Sequence, residues 1–373
     1  MNVSVLTAMP NYPAMKILSG YRGKWFVRED IDNIPVYRTW IFVKKTKSIF
    51  LRLLNYVSFV ITSAFAGLFL VSKHDIIICE SPPLFLGISA HIIKLFKGGK
   101  IVFNVSDLWP ESAEKLEIVT NKHFLRIAYW LEKSLYKSAS LVSGQTQGIV
   151  KSIYTRFPHV KTFWLPNGVD TQQFNLAGVQ YDWRKQNGYS ENDFIVLYAG
   201  ILGYAQALEV ILRAAQKTKE KHIRYILVGD GPQKEYLHDL KDKLQLTNVD
   251  FYPNQPSSAM PSIVAACNAA IVPLKNLPLF KGAIPSKLFE NLAFAKPILL
   301  GVDGEAKDLF IDKGNCGLFY TPGDDHELAK CVLKLYDDPE LLAELGRNGK
   351  AYVEQYFDRK KIALSFYYEL LKL

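Results

Sequence analysis

Several features that would define a class of protein are missing from this sequence. The four cysteines, Cys79, Cys267, Cys316 and Cys331, have no paired spacing. They suggest neither a disulfide framework nor a metal site, and they indicate buried thiols in a reducing compartment. No strand-like run is followed by Gly-x-Gly-x-x-Gly and a later acidic residue, so a dinucleotide-dependent enzyme is not expected. Residues 3–7 (VSVLT) lack the charged start and long apolar core of a secretory signal.

The excess of positive charge is confined to the first part of the chain. Residues 1–165 contain 21 Lys and Arg against 10 Asp and Glu, whereas residues 166–373 contain 24 against 26. A field of this sign suits an anionic membrane, a diphosphate-bearing acceptor or nucleic acid. No nucleic-acid module is recognisable and the aromatic residues form no stacking platform, so nucleic acid is not expected as a partner. The alternative is a merely solvated basic face.

The longest uncharged run covers residues 53–71 (LLNYVSFVITSAFAGLFLV). Its length permits a membrane span, but polar residues interrupt it and the strand-like run 75–79 (DIIIC) follows closely. We therefore favour an interfacial or core helix over a true span. The basic residues that precede the run, as in a monotopic anchor, are Lys44, Lys45, Lys47 and Arg52.

Short apolar runs alternate with helical stretches throughout the chain. Runs of this kind, buried on both faces, imply parallel sheets with crossover helices, so the predicted fold class is α/β. The strand runs are 3–7, 75–79, 100–105, 141–144, 194–200, 225–231, 249–253, 269–274 and 297–301. The helices are predicted at 124–137, 146–156, 206–219, 232–245, 285–295, 325–336 and 339–355.

A domain boundary is predicted near LPNGVD (165–170), where turn residues coincide with the change in charge balance. Two doubly wound domains with a cleft between them are expected. Ligands of such sheets bind beyond the carboxyl ends of the strands. A final helix is expected to pack back toward the first domain. The predicted parts are residues 1–165, 166–355 and 356–373.

Two glycine turns follow strands of the second domain. In YAGILGYAQALE (198–209), Gly200 and Gly203 separate a strand from a helix, and glycines let a phosphate approach the backbone. A plain tight turn explains the same spacing. In YILVGDGPQKEYL (225–237) a packing turn is favoured over a catalytic loop.

The segment KGAIPSKLFENLAFAKPILL (281–300) carries the most chemical information. Gly282, Ala283 and Ile284 form a predicted turn whose N–H groups face an anion. Lys287 then lies in the first turn of a helix, where a cation is unfavourable unless it serves an anionic ligand. Glu290 is on the same face. A cation for a diphosphate and a carboxylate for ribose hydroxyls suit a nucleotide sugar, and the alternative is a surface Lys–Glu pair.

Carboxylates also follow a strand in FNVSDLWPESA (103–113). Asp107 and Glu111 lie beyond the end of that strand, where they suit acid–base chemistry or acceptor binding. The alternative is that Asp107 caps the following turn.

These segments together resemble the retaining glycosyltransferase family 4, and within it the L-fucosamine transferases of O-antigen and capsule assembly. The resemblance spans nearly the whole chain. The matching segments, in order, are AMPNYP (8–13), GYRGKW (20–25), SDLWPESA (106–113), PNGVD (166–170), YAGILGYAQALE (198–209), VGDGP (228–232) and PSKLFENLAFAKP (285–297).

The resemblance implies a GT-B fold, with two Rossmann-like domains facing a cleft, and a metal-independent reaction without a cofactor. It also implies transfer from a UDP-sugar to a polyprenyl-diphosphate-linked glycan, with retention, at the cytoplasmic side of the plasma membrane. Glu290 would bind the ribose, Lys287 and the Gly200–Gly203 turn would face the diphosphate, and the backbone at Tyr252–Asn254 would lie near the base. The implied site residues are Asp107 and Lys287 as catalytic groups, and Gly200, Gly203, Tyr252, Asn254, Ser286, Lys287, Leu288 and Glu290 for the donor nucleotide.

Three departures from the family pattern accompany the resemblance. The glutamate often found eight positions before the ribose-binding one is Gly282 here. The usual basic pair after the first strand of the second domain is replaced, which gives Lys287 more weight; the residues there are Ile201, Leu202, Tyr204 and Gln206. VSVLT corresponds to the second strand of the first domain, so an exposed edge or a gap is expected in that sheet. An inactive or truncated nucleotide-binding relative is therefore the alternative function.

Overall fold

The computed structural model describes residues 1–11, 15–44, 49–115, 117–175, 179–219 and 221–373. Two compact units make up the chain. The first contains Met1–Leu165 together with Glu369–Leu373, and the second contains Pro166–Tyr368. Their limit along the chain falls inside LPNGVD.

The first unit alternates strands with helices. Its strands are Val5–Ala8 (β1), Phe26–Ile31 (β2), Ile34–Thr39 (β3), Ile76–Ser81 (β4), Lys100–Val105 (β5), Leu141–Gly144 (β6) and Thr162–Trp164 (β7). Its helices are Ile49–Phe69 (α1), Leu86–Lys97 (α2), Glu111–Lys115 (α3), Lys122–Ser138 (α4) and Gln147–Arg156 (α5), with a short 3-10 turn at Ser19–Tyr21. The strands and helices predicted in this part are present, with end points shifted by a few residues at most.

These strands form two separate sheets. One has the order β1-β3-β2, and the other is the parallel sheet β4-β5-β6-β7. β1 and β4 are therefore edge strands. A cavity of about 170 Å³ is lined by Ser4 and Leu6 on the β1 side and by Ile76 and Ile78 on the β4 side. At one end of it, Ser4 Oγ lies 3.0 Å from His74 Nε2.

The first sheet includes a β-hairpin that the sequence analysis did not predict. β2 and β3 pair antiparallel from Phe26–Thr39 to Ile31–Ile34. Asp32 and Asn33 connect them with φ of 51° and 62°, the left-handed pair of a type I′ turn. The Asp-Asn pair was the available signal.

The second unit contains the longer αβ series. Its strands are Phe194–Ala199 (β8), Ile223–Val228 (β9), Val249–Tyr252 (β10), Ala269–Pro273 (β11), Ile298–Gly301 (β12) and Gly317–Phe319 (β13). Its helices are Trp183–Gln186 (α6), Glu209–Lys217 (α7), Lys234–Lys243 (α8), Met260–Ala266 (α9), Lys287–Ala293 (α10), Glu305–Lys307 (α11), Asp325–Asp337 (α12), Pro339–Tyr356 (α13) and Arg359–Leu371 (α14), the last ending in the first unit. Short 3-10 helices cover Tyr204–Gln206, Ser257–Ala259 and Pro278–Gly282, and a π-helix covers Asp308–Lys313.

The sheet of the second unit is parallel, with the order β10-β9-β8-β11-β12-β13. The chain builds outward from β8 to β10 and then continues on the other side with β11. The order of strands thus reverses between β8 and β11, and a sheet of this kind binds ligands outside the carboxyl ends of its strands at such a point. Apolar clusters cover both faces of this sheet, which explains the uninterrupted apolar runs. The predicted α/β class with parallel sheets is confirmed.

Helix α1 contains most of the uncharged run at 53–71. In the ranges that the structure describes, no helix combines the length and hydrophobicity that crossing a membrane would need. Lys44, which precedes α1, is exposed. The residues of earlier predictions that lie outside the described ones are Tyr12 and Pro13 of AMPNYP, Lys45, Lys47 and the side chain of Arg52.

The four cysteines are free thiols, as predicted. Cys79, Cys267 and Cys316 are buried and Cys331 is half-buried. Burial raises the pKa of each of the first three thiols to about 12, which makes them unreactive at neutral pH.

Candidate active site

The loops that follow neighbouring strands of the second unit are hydrogen-bonded to one another. The N–H of Gly200, after β8, donates to Val228 O at 2.9 Å, and the N–H of Gly229, after β9, donates to Tyr252 O at 3.0 Å. These bonds extend the sheet ladder beyond the carboxyl ends of β8, β9 and β10. The backbone at the reversal of strand order is therefore held in place.

Two glycines allow this close approach. Gly200 has a φ of +144° and Gly229 a φ of +150°, in the region that favours glycine. A Cβ at Gly229 would lie 1.9 Å from Gly200 O. The Gly-Asp-Gly-Pro turn thus packs directly on the turn after β8, which is the packing role that its sequence favoured.

Lys287, the first residue of α10, brings a cation to the same place. Its Nζ lies 2.9 Å from where a Cβ would stand on Gly200 and 3.8 Å from the centroid of the Tyr198 ring. The Tyr198 hydroxyl donates to Ile201 O at 2.7 Å, which fixes that ring. The absence of a side chain on Gly200 leaves room for the ammonium beside the backbone.

The surroundings of this ammonium are poor in compensating charge. Among the residues that the structure describes, Lys287 takes part in no ion pair within 4.0 Å. Desolvation by burial lowers the pKa of Lys287 to about 7, and the nearby Glu290 charge opposes that shift only in part. A desolvated amine without a partner is suited to receive an anion.

Glu290 lies one turn further along α10 and faces a polar cavity of about 460 Å³. Ser286, Asn167 and Arg359 line the same cavity. Burial raises the pKa of the Glu290 carboxyl, while the charges of Arg359 and Lys287 lower it. Lys287 and Glu290 are both half-buried and form no ion pair, so the alternative of a surface Lys–Glu pair is not observed.

The remaining donor-site candidates differ in how accessible they are to a ligand. Ser286 is exposed and lines the Glu290 cavity, and Asn254 is exposed just beyond β10. Leu288 is completely buried, and its N–H donates to Pro285 O at 3.1 Å. Leu288 therefore anchors α10 to the core and offers no side-chain contact to a ligand. The Tyr252 carbonyl is occupied by Gly229.

Two backbone amides predicted to face an anion are already used. The N–H of Gly203 donates to Ile201 O at 3.0 Å, and that of Ala283 donates to Phe280 O at 3.0 Å. Both bonds close local turns. The anion-binding role expected of these turns is therefore better assigned to the Lys287 ammonium.

Asp107 belongs to the first unit, whereas the other candidates belong to the second. It is exposed, and the Ser112 hydroxyl donates to its Oδ2 at 2.7 Å. Ser112 lies on α3, so the carboxylate is held at the carboxyl end of β5 by a side chain rather than by capping amides. One carboxylate oxygen remains able to accept another hydrogen bond. In the described part of the chain, no cluster of three or more His, Cys, Asp or Glu could hold a metal ion.

Three residues of the site were not identified from the sequence. Tyr198 was regarded only as part of a strand, Asn167 only as a turn residue, and Arg359 as part of a terminal helix. Arg359 Nη2 donates to Gly168 O at 3.2 Å, and its N–H donates to Val169 O at 3.0 Å. These bonds tie α14 to the PNGVD segment beside Glu290.

Residues 179–352 match the protein family described as Glycosyl transferases group 1. That range contains strands β8 to β13 and the eight predicted donor-site residues. The second unit carries a glycosyltransferase group 1 domain.

The glycosyltransferase chain also resembles curated proteins over longer stretches. It is 26% identical over 302 residues to the Escherichia coli (strain K12) protein named as a colanic acid biosynthesis glycosyl transferase, WcaI, and the match covers 78% of this chain and 73% of WcaI. Other curated relatives are matched over 39% to 59% of their own length. The chain thus spans about half the length of those relatives.

Solved structures are similar across both units. A sucrose-phosphate synthase from Thermosynechococcus elongatus matches with a TM-score of 0.74 and 17% identity, covering 100% of this chain and 89% of the other. Anabaena Alr3699/HepE in complex with UDP-glucose matches with a TM-score of 0.73 and 20% identity, covering 99% and 100%. At these identities the similarity shows the fold, which is that of GT-B glycosyltransferases.

Proposed function

We propose that this glycosyltransferase moves an N-acetylated amino sugar, such as L-FucNAc, from a UDP-sugar to a polyprenyl-diphosphate-linked glycan. The proposed transfer retains the configuration at the anomeric carbon and needs no metal. Its setting is O-antigen or capsular polysaccharide assembly, at the cytoplasmic face of the plasma membrane. The single observation that carries the proposal is the half-buried Lys287 ammonium, which lies beside Gly200 and one turn from Glu290 and forms no ion pair with any described residue.

The site offers the groups that such a donor needs. A diphosphate carries negative charge, and the Lys287 ammonium is a desolvated cation beside a glycine backbone. The Glu290 carboxylate faces a cavity with room for a ribose, and a carboxylate can accept hydrogen bonds from two vicinal hydroxyls. Alr3699/HepE, which has a similar fold, was solved in complex with UDP-glucose, which supports a UDP-sugar as the donor class.

In the proposed reaction, the main task of the protein is to stabilise the leaving diphosphate. The bond between the anomeric carbon and the UDP oxygen breaks, and a bond to the acceptor oxygen forms on the same face. The acceptor proton passes to the departing phosphate oxygen. Lys287 stabilises the charge that develops on the diphosphate, and a cation positioned in advance is effective in this role because it needs no reorganisation. Asp107 is proposed to bind an acceptor hydroxyl in the first unit.

The test uses membranes that contain polyprenyl-diphosphate glycan and a panel of radiolabelled UDP-N-acetyl sugars. Wild-type protein should transfer label to the lipid fraction, and Glu290→Gln should lose UDP affinity by at least tenfold in calorimetry. Glu344→Gln, an exposed glutamate on α13, is the matched control and should bind UDP normally. Binding of UDP without turnover of any sugar would instead favour the inactive relative. Unchanged affinity in Glu290→Gln would refute the ribose assignment.

A further inference from the structure

The three longest helices of the first unit lie side by side. The Ser63 hydroxyl of α1 donates to that of Ser89 on α2 at 2.9 Å, and the rings of Phe85, which precedes α2, and Phe124 of α4 are 6.4 Å apart. His91 of α2 is hydrogen-bonded to the Ser138 hydroxyl at the end of α4. These contacts join α1, α2 and α4 into one layer, which we call the helix layer.

The outward side of α1 is apolar from Val57 to Phe69. Val57, Ile61, Phe65 and Phe69 recur at the spacing of a single helix face, and the last three are 61–69% exposed. Ser58, Ser63 and Ala66, on the inner faces, are buried. α1 therefore has the amphipathic pattern reversed, with small or polar residues inward and large apolar residues toward the outside.

Helix α2 also carries large exposed apolar residues. Leu95 and Phe96, in its last turn, are 79% and 72% exposed. Since Gly67 of α1 approaches Ile93 of α2, the ends of the two helices lie close together. Single exposed apolar side chains are ordinary, but several exposed aromatic and branched residues on two neighbouring helices mark an interaction surface.

Helix α4 supplies positive charge beside this surface. Its exposed charged residues are all basic: Lys122, Arg126, Lys133 and Lys137. The only acidic residue in α4, Glu132, is 1% exposed and is bound by Arg156. Trp130 is 67% exposed on the same side of α4 as Arg126 and Lys133. Tryptophan and lysine are the residues that favour the boundary between headgroups and acyl chains.

We propose that the helix layer is the surface by which this protein lies on an anionic lipid bilayer. The stripe on α1 and the end of α2 enter the acyl boundary, and the basic side chains of α4 contact acidic headgroups. This specifies the membrane setting of the proposed function, but it does not depend on the donor site. The net positive charge of residues 1–165 and the basic side chains of α4 favour an acidic lipid surface over the same face of a second copy, which would carry the same charge, and over an apolar peptide.

The experiment measures co-sedimentation of the full chain with vesicles of phosphatidylcholine alone or with 30 mol% phosphatidylglycerol. The double variant Phe65→Gln, Phe69→Gln tests the apolar stripe, and Tyr236→Gln with Tyr356→Gln, exposed in the second unit, is its matched control. The triple variant Arg126→Ala, Lys133→Ala, Lys137→Ala tests the charge. Its matched control is Lys241→Ala, Lys243→Ala, Lys350→Ala.

Wild-type protein is expected to bind the anionic vesicles and to be released by 0.5 M salt. The α4 triple variant should bind them at least tenfold more weakly, since each basic residue near an anionic surface contributes about fivefold. The stripe variant should lose binding to the anionic vesicles, and the controls should resemble wild type. The thermal midpoint of each variant, measured in parallel, should not change and reports correct folding.

Three outcomes would overturn the proposal. The first is wild-type protein that does not bind anionic vesicles at low salt. The second is normal binding by the stripe variant. The third is a wild-type dimer that the stripe variant converts to a monomer, because the helix layer would then be covered by a second copy. Loss of sugar transfer with intact vesicle binding would count against the proposed function and leave this inference standing.

Discussion

The protonation state of the Lys287 amine should control the affinity for UDP between pH 7 and 9. Desolvation lowers its pKa to about 7 in the free protein, so raising the pH from 7 to 9 changes the amine from half protonated to almost fully neutral. A bound diphosphate needs the ammonium and raises its pKa again. UDP binding above pH 7 should therefore take up a proton.

The size of the effect follows from the pKa. At pH 9 only about 1% of the free protein would carry the ammonium, against about half at pH 7. If the bound state keeps its proton, the Kd for UDP should rise about fiftyfold between these two pH values, or about 2.3 kcal/mol. The range above pH 7 is chosen because the terminal phosphate of the nucleotide is already ionised there.

Isothermal titration calorimetry at pH 7, 8 and 9 gives both the Kd for UDP and the proton uptake. Repeating each titration in two buffers of different ionisation enthalpy measures the proton uptake directly. Lys287→Arg keeps its charge over the whole range and should lose the pH dependence, while Lys287→Met should bind weakly at every pH. A wild-type Kd that stays constant from pH 7 to 9, with no proton uptake, would refute the assignment of this amine to the diphosphate.

Three further changes have expected outcomes. Tyr198→Leu removes the ring below the ammonium and should weaken UDP binding about fivefold, whereas Tyr198→Phe, which loses only a hydroxyl, should stay within about twofold in the same calorimetry. Gly229→Ala would put a Cβ 1.9 Å from Gly200 O and should lower the thermal midpoint and abolish UDP binding, since the strain costs at least about 2 kcal/mol; a normal midpoint would contradict this. Arg156→Met should destabilise the first unit by about 3–5 kcal/mol, because it leaves the buried Glu132 carboxylate without a partner, and a thermal melt that Glu132→Gln restores in the double variant would show that cause.

The parallel sheets could be predicted because their strands are buried on both faces. The runs KIVFNV and FIVLYA form β5 and β8 and are apolar almost throughout. Few structures other than a buried strand suit such short apolar runs. The hairpin of β2 and β3 was missed because β2, at the edge of its sheet, has three consecutive charged residues, Arg28, Glu29 and Asp30, and therefore no apolar alternation. β7 and β13 have only three residues each, which is too short for any periodicity.

The site was predictable where its residues are close in the chain. Lys287 and Glu290 share one helix face, so their spacing alone placed them together. Arg359 reaches the same cavity from a helix far along the chain, through hydrogen bonds to the PNGVD backbone, and no spacing rule could show this. The side chain of Leu288 faces the core although Leu288 follows Lys287 directly, because neighbours on a helix point in different directions.

The division of the first unit into two sheets has a consequence for how that unit opens. In a parallel sheet each strand directs alternate amides to opposite sides, so the outer amides of β1 and β4 have no strand partner in the part of the chain described. The blocks on either side of the cavity are joined mainly by α1 and α2. They should therefore behave as separate cooperative units, and amide exchange in deuterium oxide should show the β1-β3-β2 block opening well before β5 and β6.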